Sequence, residues 1–558
     1  MATMKARLRQ VINGFGYVAR GDFAGLVSRV RWYAREHTTE KLSEKFVNPD
    51  GVVWGILCTP HTIMIAQAIS NRLAHHGINS EIIQGALKTF HHDFYVVLCA
   101  QTFKKLPPPE KRAVFQLEQS VHSRWFTDDY FKVLRESFSV IDYSLTNIEF
   151  LATHGIEYPN VHYVPIGASV GRRAPNQNHK KYDFIFYGDS KSSPRRQKLL
   201  SALQSKYNVK VCNDHFGDDL HAEIACAKAV VNLHYYEGAL LEMPRIAESL
   251  SIGVPVLSES TTDQDDYQEL GNAVWFFDEG SIPALMKRAG ELLEHLDGVN
   301  AALADSINAS SQRFNFMLDR FLAAIGSITL DRVLREPFHV AKGSNYFALS
   351  LPETIKRRRA LNLRLPGNCV IFDGIRHKKG WIGCGSSFKA LATYALNNDI
   401  RTLIVIEDDA VLPPDFDSTL EEITRYLSRR DSTWDIFSGL MAEVNLPVNV
   451  YAAEQYKERT YITIDRITST VFNIYNKTAL EHLAQWDPLD SDAEHNTIDR
   501  YLDQRRLRVV VSIPFIVGHD EEVISTLWGF VNKRYSSMIE KSQQKLERLY
   551  NGWKKEHP

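Results

Sequence analysis

Apolar residues in this chain fall into short unbroken runs, and longer stretches with apolar positions three or four apart separate those runs. The first pattern predicts strands buried on both faces, the second amphipathic helices. Residues 52–57 open the series, and a helix over 62–75, closed by Gly77, comes next. Residues 94–98 and 140–144 predict two more strands. Residues 147–154 predict a helix ending at Gly155, and 161–164 a strand running into Pro165-Ile166-Gly167. After a polar break over 172–181, a second series predicts strands at 183–188, 209–211, 229–233 and 254–257, with helices over 281–330. A third begins at 345–351. Its strongest strand, 402–406, stops at Glu407-Asp408-Asp409, and from about 530 the chain reads as a charged helix.

Strands alternating with helices predict an α/β fold with mostly parallel sheets. At ~150 residues per domain, 558 residues predict three or four domains. The pattern places boundaries at 1–48 (a helical extension), 49–168 and 169–335 (two nucleotide-binding-like halves), 336–530 (a third α/β domain) and 531–558 (a terminal helix).

The charge balance, 65 basic against 67 acidic residues, excludes the basic excess of a protein living on nucleic-acid phosphates, so no nucleic-acid partner is expected. Six scattered cysteines without a C-x-x-C pair fit a reducing compartment. No apolar run reaches the ~20 residues needed to span a bilayer, and a cytoplasmic protein is expected. The first 35 residues change that picture locally. Lys5, Arg7, Arg9, Arg20, Arg29, Arg31 and Arg35 stand against Asp22 alone, interleaved with apolar residues, a pattern suited to peripheral contact with the inner face of an anionic membrane.

The most informative stretch is five apolar residues with three acids directly after them. A buried parallel strand delivers the residues at its end to the carboxyl edge of a sheet, where α/β folds bind ligands. Adjacent carboxylates there repel unless a cation intervenes, and a hard divalent ion shared with diphosphate oxygens resolves the repulsion. The cluster Lys356-Arg357-Arg358-Arg359 suits phosphate oxygens. Residues 380–387, rich in glycine and serine, predict a turn ahead of a helix over 388–396, bringing backbone close to a ligand. Further on come 496–502 and Pro514 to His519.

In this order the motifs resemble glycosyltransferase family 25, the lipopolysaccharide-type and collagen-type sugar transferases. The matching parts are residues 347–351 with Arg357-Arg358, Gly383-Cys384 with Ser387, Glu407-Asp408-Asp409, Asp499, and Pro514 to Ser525, across about 340–530. Phe388 stands where the family usually has histidine. The resemblance implies a GT-A-like domain, a nucleotide-sugar donor and Mn²⁺ or Mg²⁺ held by Asp408 and Asp409 with Glu407 in support. Arg357, Arg358, Gly383 and Ser387 would be donor-side. Asp499 would act as general base, with Asp465 as the alternative.

In the second series, Gly188 ends a strand and Ser192-Ser193-Pro194-Arg195-Arg196 opens a helix where phosphate could sit. Further on, Arg245 and Glu248 lie in a helix that Gly253 closes before Pro255. A glutamate so placed can accept both ribose hydroxyls of a nucleotide. This string resembles the carboxyl half of a GT-B glycosyltransferase of the group with Gly…Arg-Arg and Arg-x-x-Glu…Gly-x-Pro. The resemblance makes Gly188, Arg196, Arg245 and Glu248 donor-binding residues, with no metal. Leu240 breaks the better-known pair of glutamates, with Glu237 and Glu242 as displaced alternatives. Residues 50–165 would then be the acceptor half, where Glu118 and His122 are worth testing.

The expectation is therefore a GT-B-like pair of Rossmann-type domains followed by a GT-A-like domain. Such a chain would move sugar from a nucleotide-sugar donor to a glycan, glycolipid or protein acceptor in cell-surface polysaccharide or lipopolysaccharide biosynthesis, and would be bifunctional if both modules act. Two alternatives stand beside it. In one the GT-B-like half is a non-catalytic scaffold for the other module, and in the other the acidic triplet serves a metal-dependent phosphohydrolase or nucleotidyltransferase.

Overall fold

A computed structural model describes residue 30 and residues 52–171, 180–335, 343–430, 433–520, 526 and 535–557. The basic extension apart from Val30, most of the 172–181 break and residues 521–525 lie outside the described residues. The chain divides into two compact units, the first reaching Phe321 and the second taking in Leu322–Arg335 and the third α/β region.

The first unit holds two sheets. In one, β1 (Val53–Cys58), β2 (Asn79–Gln84), β3 (Phe94–Leu98), β4 (Arg112–Gln116), β5 (Ser139–Asp142) and β6 (Val161–Tyr163) run in the order β2-β1-β3-β4-β5-β6, every pair parallel. Gly55 is required in β1 because a Cβ there would come 2.6 Å from the ring of its β3 partner Tyr95. In the other sheet, β7 (Tyr182–Tyr187), β8 (Val209–Cys212), β9 (Ala227–Asn232), β10 (Val256–Glu259) and β11 (Val274–Phe277) run β11-β10-β9-β7-β8, again all parallel. Phe184, Phe186, Val231 and Leu257 are buried between this sheet and the helices Pro194–Gln204 and Ile282–Glu294. Strand order reverses between β1 and β3 and between β7 and β9, and such switch points open a crevice at the carboxyl ends of the strands.

A 29-residue helix, Leu296–Ala324, bonds to parts of both sheets' layers. Asp319 accepts from Arg72 Nε at 2.9 Å and lies 2.7 Å from His76 Nε2. Arg313 reaches Glu269 at 2.5 Å and Tyr163 at 3.2 Å, and Ser310 Oγ accepts from Ala168 N–H at 3.1 Å.

The sheet of the second unit corrects the expectation of mostly parallel pairing. β12 (Tyr346–Ser350), β13 (Val370–Asp373), β14 (Thr402–Glu407), β16 (Ile436–Ser438), β17 (Val450–Tyr456), β18 (Arg459–Ile464), β19 (Phe472–Asn476) and β20 (Val509–Ile513) run β13-β12-β14-β19-β16-β20-β18-β17. β12 pairs in parallel with β13 and β14, but β19 is antiparallel to β14 and β16, and β18 to β17 and β20. A small antiparallel pair, β15 (Ala410–Val411) with β21 (Gly518–His519), closes over the end of β14. The core gathers Ile406, Phe437, Phe472 and Val510.

The predicted turn at 380–387 is also corrected. It forms the first two turns of one helix, Gly380–Asn397. Its small residues serve packing: a Cβ on Gly383 would sit 2.6 Å from the Ile375 carbonyl, and one on Gly385 2.4 Å from the Trp486 ring. Phe388 is buried with its ring 6.1 Å from that of Tyr475. All six cysteines are free, and among the described residues no helix is long and apolar enough to cross a membrane.

Candidate functional sites

The switch point of the β7–β11 sheet gathers three of the residues singled out in the sequence. β7 hands over to Gly188 at φ +116°, where a Cβ would lie 3.0 Å from Arg245 Nη2 and 3.9 Å from Arg196 Nη1. Only glycine leaves the two guanidinium groups this close to the chain. Ser193 caps the helix Pro194–Gln204, accepting from Arg196 N–H at 3.3 Å, with Pro194 at its first position. The Arg196 side chain donates to the Leu233 carbonyl (2.9 Å), the Asp189 carbonyl (3.0 Å) and Glu242 Oε1 (3.0 Å). Arg245, on the helix Met243–Ile252, donates to Glu242 Oε2 and Asn232 Oδ1. Burial pushes the Arg196 guanidinium down to about 10. Burial would raise Glu242, but Arg245, Arg196 and His234 outweigh it and hold the carboxyl below its usual range.

Two guanidinium groups thus meet one carboxylate beside a turn with no side chain, an arrangement that suits phosphate oxygens. Of the displaced alternatives, Glu242 is that carboxylate, and Glu237 is exposed. Glu248 stands beside the group, with a side-chain hydrogen bond to Tyr187, the residue before Gly188. Its Oε1 lies 3.0 Å from His221 Nε2 on the helix Gly217–Ala225.

Sequence reasoning missed a second layer. Glu259, at the end of β10, accepts from Arg195 Nη1, His234 N–H and Gly280 N–H, each at 2.7 Å, and Glu279 accepts from Gly238 N–H at 2.9 Å. These partners are up to 64 residues apart and meet only because β9 and β10 are neighbours; nothing local in the sequence marks them. Across the crevice the loop after β4 reaches the same segment: Gln119 Nε2 donates to the Leu240 carbonyl (3.2 Å) and its Oε1 accepts from Leu240 N–H (3.0 Å). Glu118 in that loop is raised by burial and accepts from Gln101 Nε2 at 2.8 Å. His122 holds a left-handed backbone, φ +53°, with its ring 6.2 Å from that of Tyr236. A non-glycine residue at such a φ is uncommon and clusters at functional loops.

The acidic triplet of the second unit lies at the carboxyl end of β14, largely buried. Asp408 accepts from Arg357 through Oδ1, and from Ser350 Oγ (2.8 Å) and Thr354 Oγ1 (3.5 Å) through Oδ2. Arg357 also stands 3.1 Å from Asp409 Oδ2, and His519, carried in by the β15–β21 pair, is 3.6 Å from the same oxygen. Asp409 Oδ1 is buried without a hydrogen-bond partner. Burial and then Asp409 push the Glu407 carboxyl up to about 8, and burial also raises Asp408. Asp409 is held low, because His519 and Arg357 overcome the effect of burial. Two carboxylates share one guanidinium here, with Glu407 behind them.

The other predicted residues divide. Asp499 is in the first turn of the helix Ile498–Asp503, and after burial and Glu407 its charge is the next that raises the Cys384 thiol, itself 3.7 Å from Glu407 Oε1. Asp465 is fully engaged elsewhere, accepting from Asn449 N–H and Nδ2 at 2.8 Å and from Arg506 at 3.0 Å. Arg358 pairs with Asp373 at 2.6 Å. Ser387 Oγ donates to the Gly383 carbonyl and accepts from Ile375 N–H, both at 2.8 Å, so Ser387 and Gly383 fasten a helix rather than face a ligand.

No family model matches the chain. "Uncharacterized protein L137" of Acanthamoeba polyphaga mimivirus is 25% identical over 159 residues, 28% of this chain, and the match spans only 21% of that curated relative. Solved structures similar to the chain include an alpha-glucosyltransferase in complex with UDP-glucose and DNA (10% identity, 48% of this chain and 98% of that one, TM-score 0.35). WaaG, a glycosyltransferase involved in lipopolysaccharide biosynthesis, gives 13% identity over the same shares with a TM-score of 0.35. Anabaena Alr3699/HepE in complex with UDP and glucose gives 13%, the same shares and 0.33. Likeness at this level assigns neither activity nor substrate.

Proposed function

We propose that the chain is a glycosyltransferase that moves sugar from a nucleotide-sugar donor to a glycan or lipid-linked acceptor, through a metal-free GT-B-like module and a metal-assisted GT-A-like module of the family 25 kind. The observation that carries the reading is the meeting of Arg196 and Arg245 at the Gly188 turn. Two guanidinium groups at a switch point, over a turn with no side chain, suit the diphosphate of a nucleotide sugar. The facing loop with Glu118 and His122 is where an acceptor hydroxyl would be deprotonated in that module.

In the second unit, Asp409 Oδ1 is a buried oxygen without a partner, which fits a Mn²⁺ or Mg²⁺ ion that keeps most of its shell for water and diphosphate. Asp408 and Asp409 would hold it with Glu407 behind them, although among the described residues no group of three or more His, Cys, Asp or Glu side chains is already arranged around a metal position. Bound there, the ion would neutralise the charge developing on the leaving diphosphate. Arg357 then assists the same oxygens, and Asp499 accepts the acceptor's proton.

The test is a nucleotide-sugar panel read by nucleoside diphosphate release from the full chain, with and without EDTA, for wild type, Arg245→Ala and Asp409→Asn. The reading expects an EDTA-resistant activity lost in Arg245→Ala and an EDTA-sensitive one lost in Asp409→Asn. The GT-B-like half is a scaffold if only the second appears, and a panel with no release and no nucleotide binding refutes the proposal. Phosphate or pyrophosphate as product would indicate a phosphohydrolase or nucleotidyltransferase instead.

A further inference from the structure

We infer that Asp142, at the end of β5, is a positioning residue for acceptor activation: through Gln116 and Asn147 it fixes Glu118 at the crevice as the group that takes the acceptor's proton. The inference rests on reading the loop after β4 as the acceptor side of the module. It goes further in choosing Glu118 over His122 and in naming the residues that aim it.

Side chains hold the Glu118 backbone on both sides. Its N–H donates to Gln116 Oε1 at 2.6 Å, and its carbonyl accepts from Gln116 Nε2 at 2.7 Å and from Asn147 Nδ2 at 2.8 Å. Asn147 Oδ1 accepts from Ser120 N–H at 2.9 Å. A backbone N–H can only donate, so these contacts decide which end of each amide is oxygen. Both NH₂ groups then point toward the Glu118 carbonyl, and each has a second hydrogen to place. Asp142 takes both, Oδ2 from Gln116 Nε2 at 2.9 Å and Oδ1 from Asn147 Nδ2 at 3.1 Å, with Ser144 N–H on Oδ1 at 2.9 Å. Gln116, Asp142 and Asn147 are wholly buried, where a donor left without an acceptor is costly. Only an acceptor with two oxygens satisfies both amides in this orientation.

The Glu118 side chain is tied as well, yet half-buried. Its Oε1 accepts from Gln101 Nε2 at 2.8 Å and its Oε2 from Ser123 Oγ at 3.5 Å. Gln101 Oε1, on the same amide, is buried with no partner, a place for a hydroxyl donor beside the carboxylate. His122 is exposed. A base has to stand within hydrogen-bond reach of its proton, which favours the residue whose backbone and carboxylate are both held. Glu118 takes the hydroxyl proton as the acceptor oxygen bonds to the anomeric carbon, while the bond from that carbon to the diphosphate breaks and its electron pair leaves with the nucleoside diphosphate.

The test uses the full chain in EDTA, with hydrogen exchange at residues 117–121 and nucleoside diphosphate release from a panel that includes UDP-glucose and GDP-mannose. Asp142→Asn and, as a second variant, Gln116→Met are each expected to speed exchange at 117–121 about tenfold or more and to leave the rest of the lobe protected. Each should lower kcat by about 10–100-fold with the donor KM within about threefold. Glu118→Gln should cost at least as much, and adding Asp142→Asn to it should cost nothing more, because Asp142 acts through Glu118. Unchanged exchange at 117–121 overturns the inference, as does a loss of protection throughout the lobe in both variants. Costs that multiply in the double variant, or a Glu118→Gln protein as active as wild type, overturn it too. A wild type that releases no nucleoside diphosphate in EDTA instead removes the reading of this module as a transferase, and the exchange data still show whether Asp142 holds Glu118.

Discussion

The two candidate sites are charge inversions of each other. At the end of β7, Arg196 and Arg245 share Glu242; at the end of β14, Asp408 and Asp409 share Arg357. Both stand at carboxyl ends of strands in α/β sheets, β7 between two parallel neighbours and β14 between a parallel and an antiparallel one. The first joins two cations to one carboxylate and the second two carboxylates to one cation, so on the proposed function only the second would need an added cation to hold a diphosphate. On the proposed function, the two sites would be two solutions for holding a diphosphate, one of them independent of metal.

The comparison breaks most sharply at Asp409. Asp409→Asn is expected to cost about 10²-fold or more in divalent-dependent nucleoside diphosphate release, with the EDTA-resistant activity intact, as initial rates with and without EDTA will show. Removing the shared cation tests the inversion next. Arg357→Ala leaves two buried carboxylates without their counter-charge and should destabilise the second unit by about 3–5 kcal/mol in EDTA, with Mn²⁺ or Mg²⁺ recovering much of it; thermal unfolding with and without the ion measures both. Arg245→Ala should weaken nucleoside diphosphate binding about 10–100-fold with no dependence on metal, read by calorimetry in EDTA.

The smallest effect concerns pH. Burial pushes the Asp142 carboxyl, at the end of β5, up to about 7, against hydrogen bonds from Ser144, Gln116 and Asn147. Between about pH 4 and 7 the folded protein keeps a proton that the unfolded chain has lost, so stability is greatest below that window and falls as pH rises through it. Asp142→Asn should flatten this slope. Melting temperatures of both proteins across pH 4–8 decide it, and parallel curves would show that Asp142 is ionised in the fold.

How far the sequence foretold these sites depends on where each partner sits. Arg196, Arg245 and the acidic triplet were legible because a strand end, a glycine or a helix start stands beside each. Strands 94–98 and 402–406 were legible as unbroken apolar runs. β4 was not: Arg112 and Gln116 bracket only three apolar residues, yet Arg112 is buried because Pro107 and Ser137 satisfy its guanidinium. β2 and β17 are polar edge strands with few apolar positions, β2 pairing only with β1 and β17 only with β18. The glycine-rich stretch at 380–387 reads as a turn by propensity, but close approach to Ile375 and Trp486 favours a helix. The contact of Glu248 with His221 was not legible, since His221 lies on a different helix 27 residues earlier.

The helix Leu296–Ala324 has a practical consequence. Its Asp319 is locked to Arg72 and His76, and its Arg313 to Glu269, so it works as a splint across two lobes whose chains leave and re-enter nearby. Any trimmed version of the amino-terminal half that stops short of Phe321 would keep every strand of both lobes and still lose their alignment. The boundary of a fragment that keeps both lobes aligned is thus set by this helix.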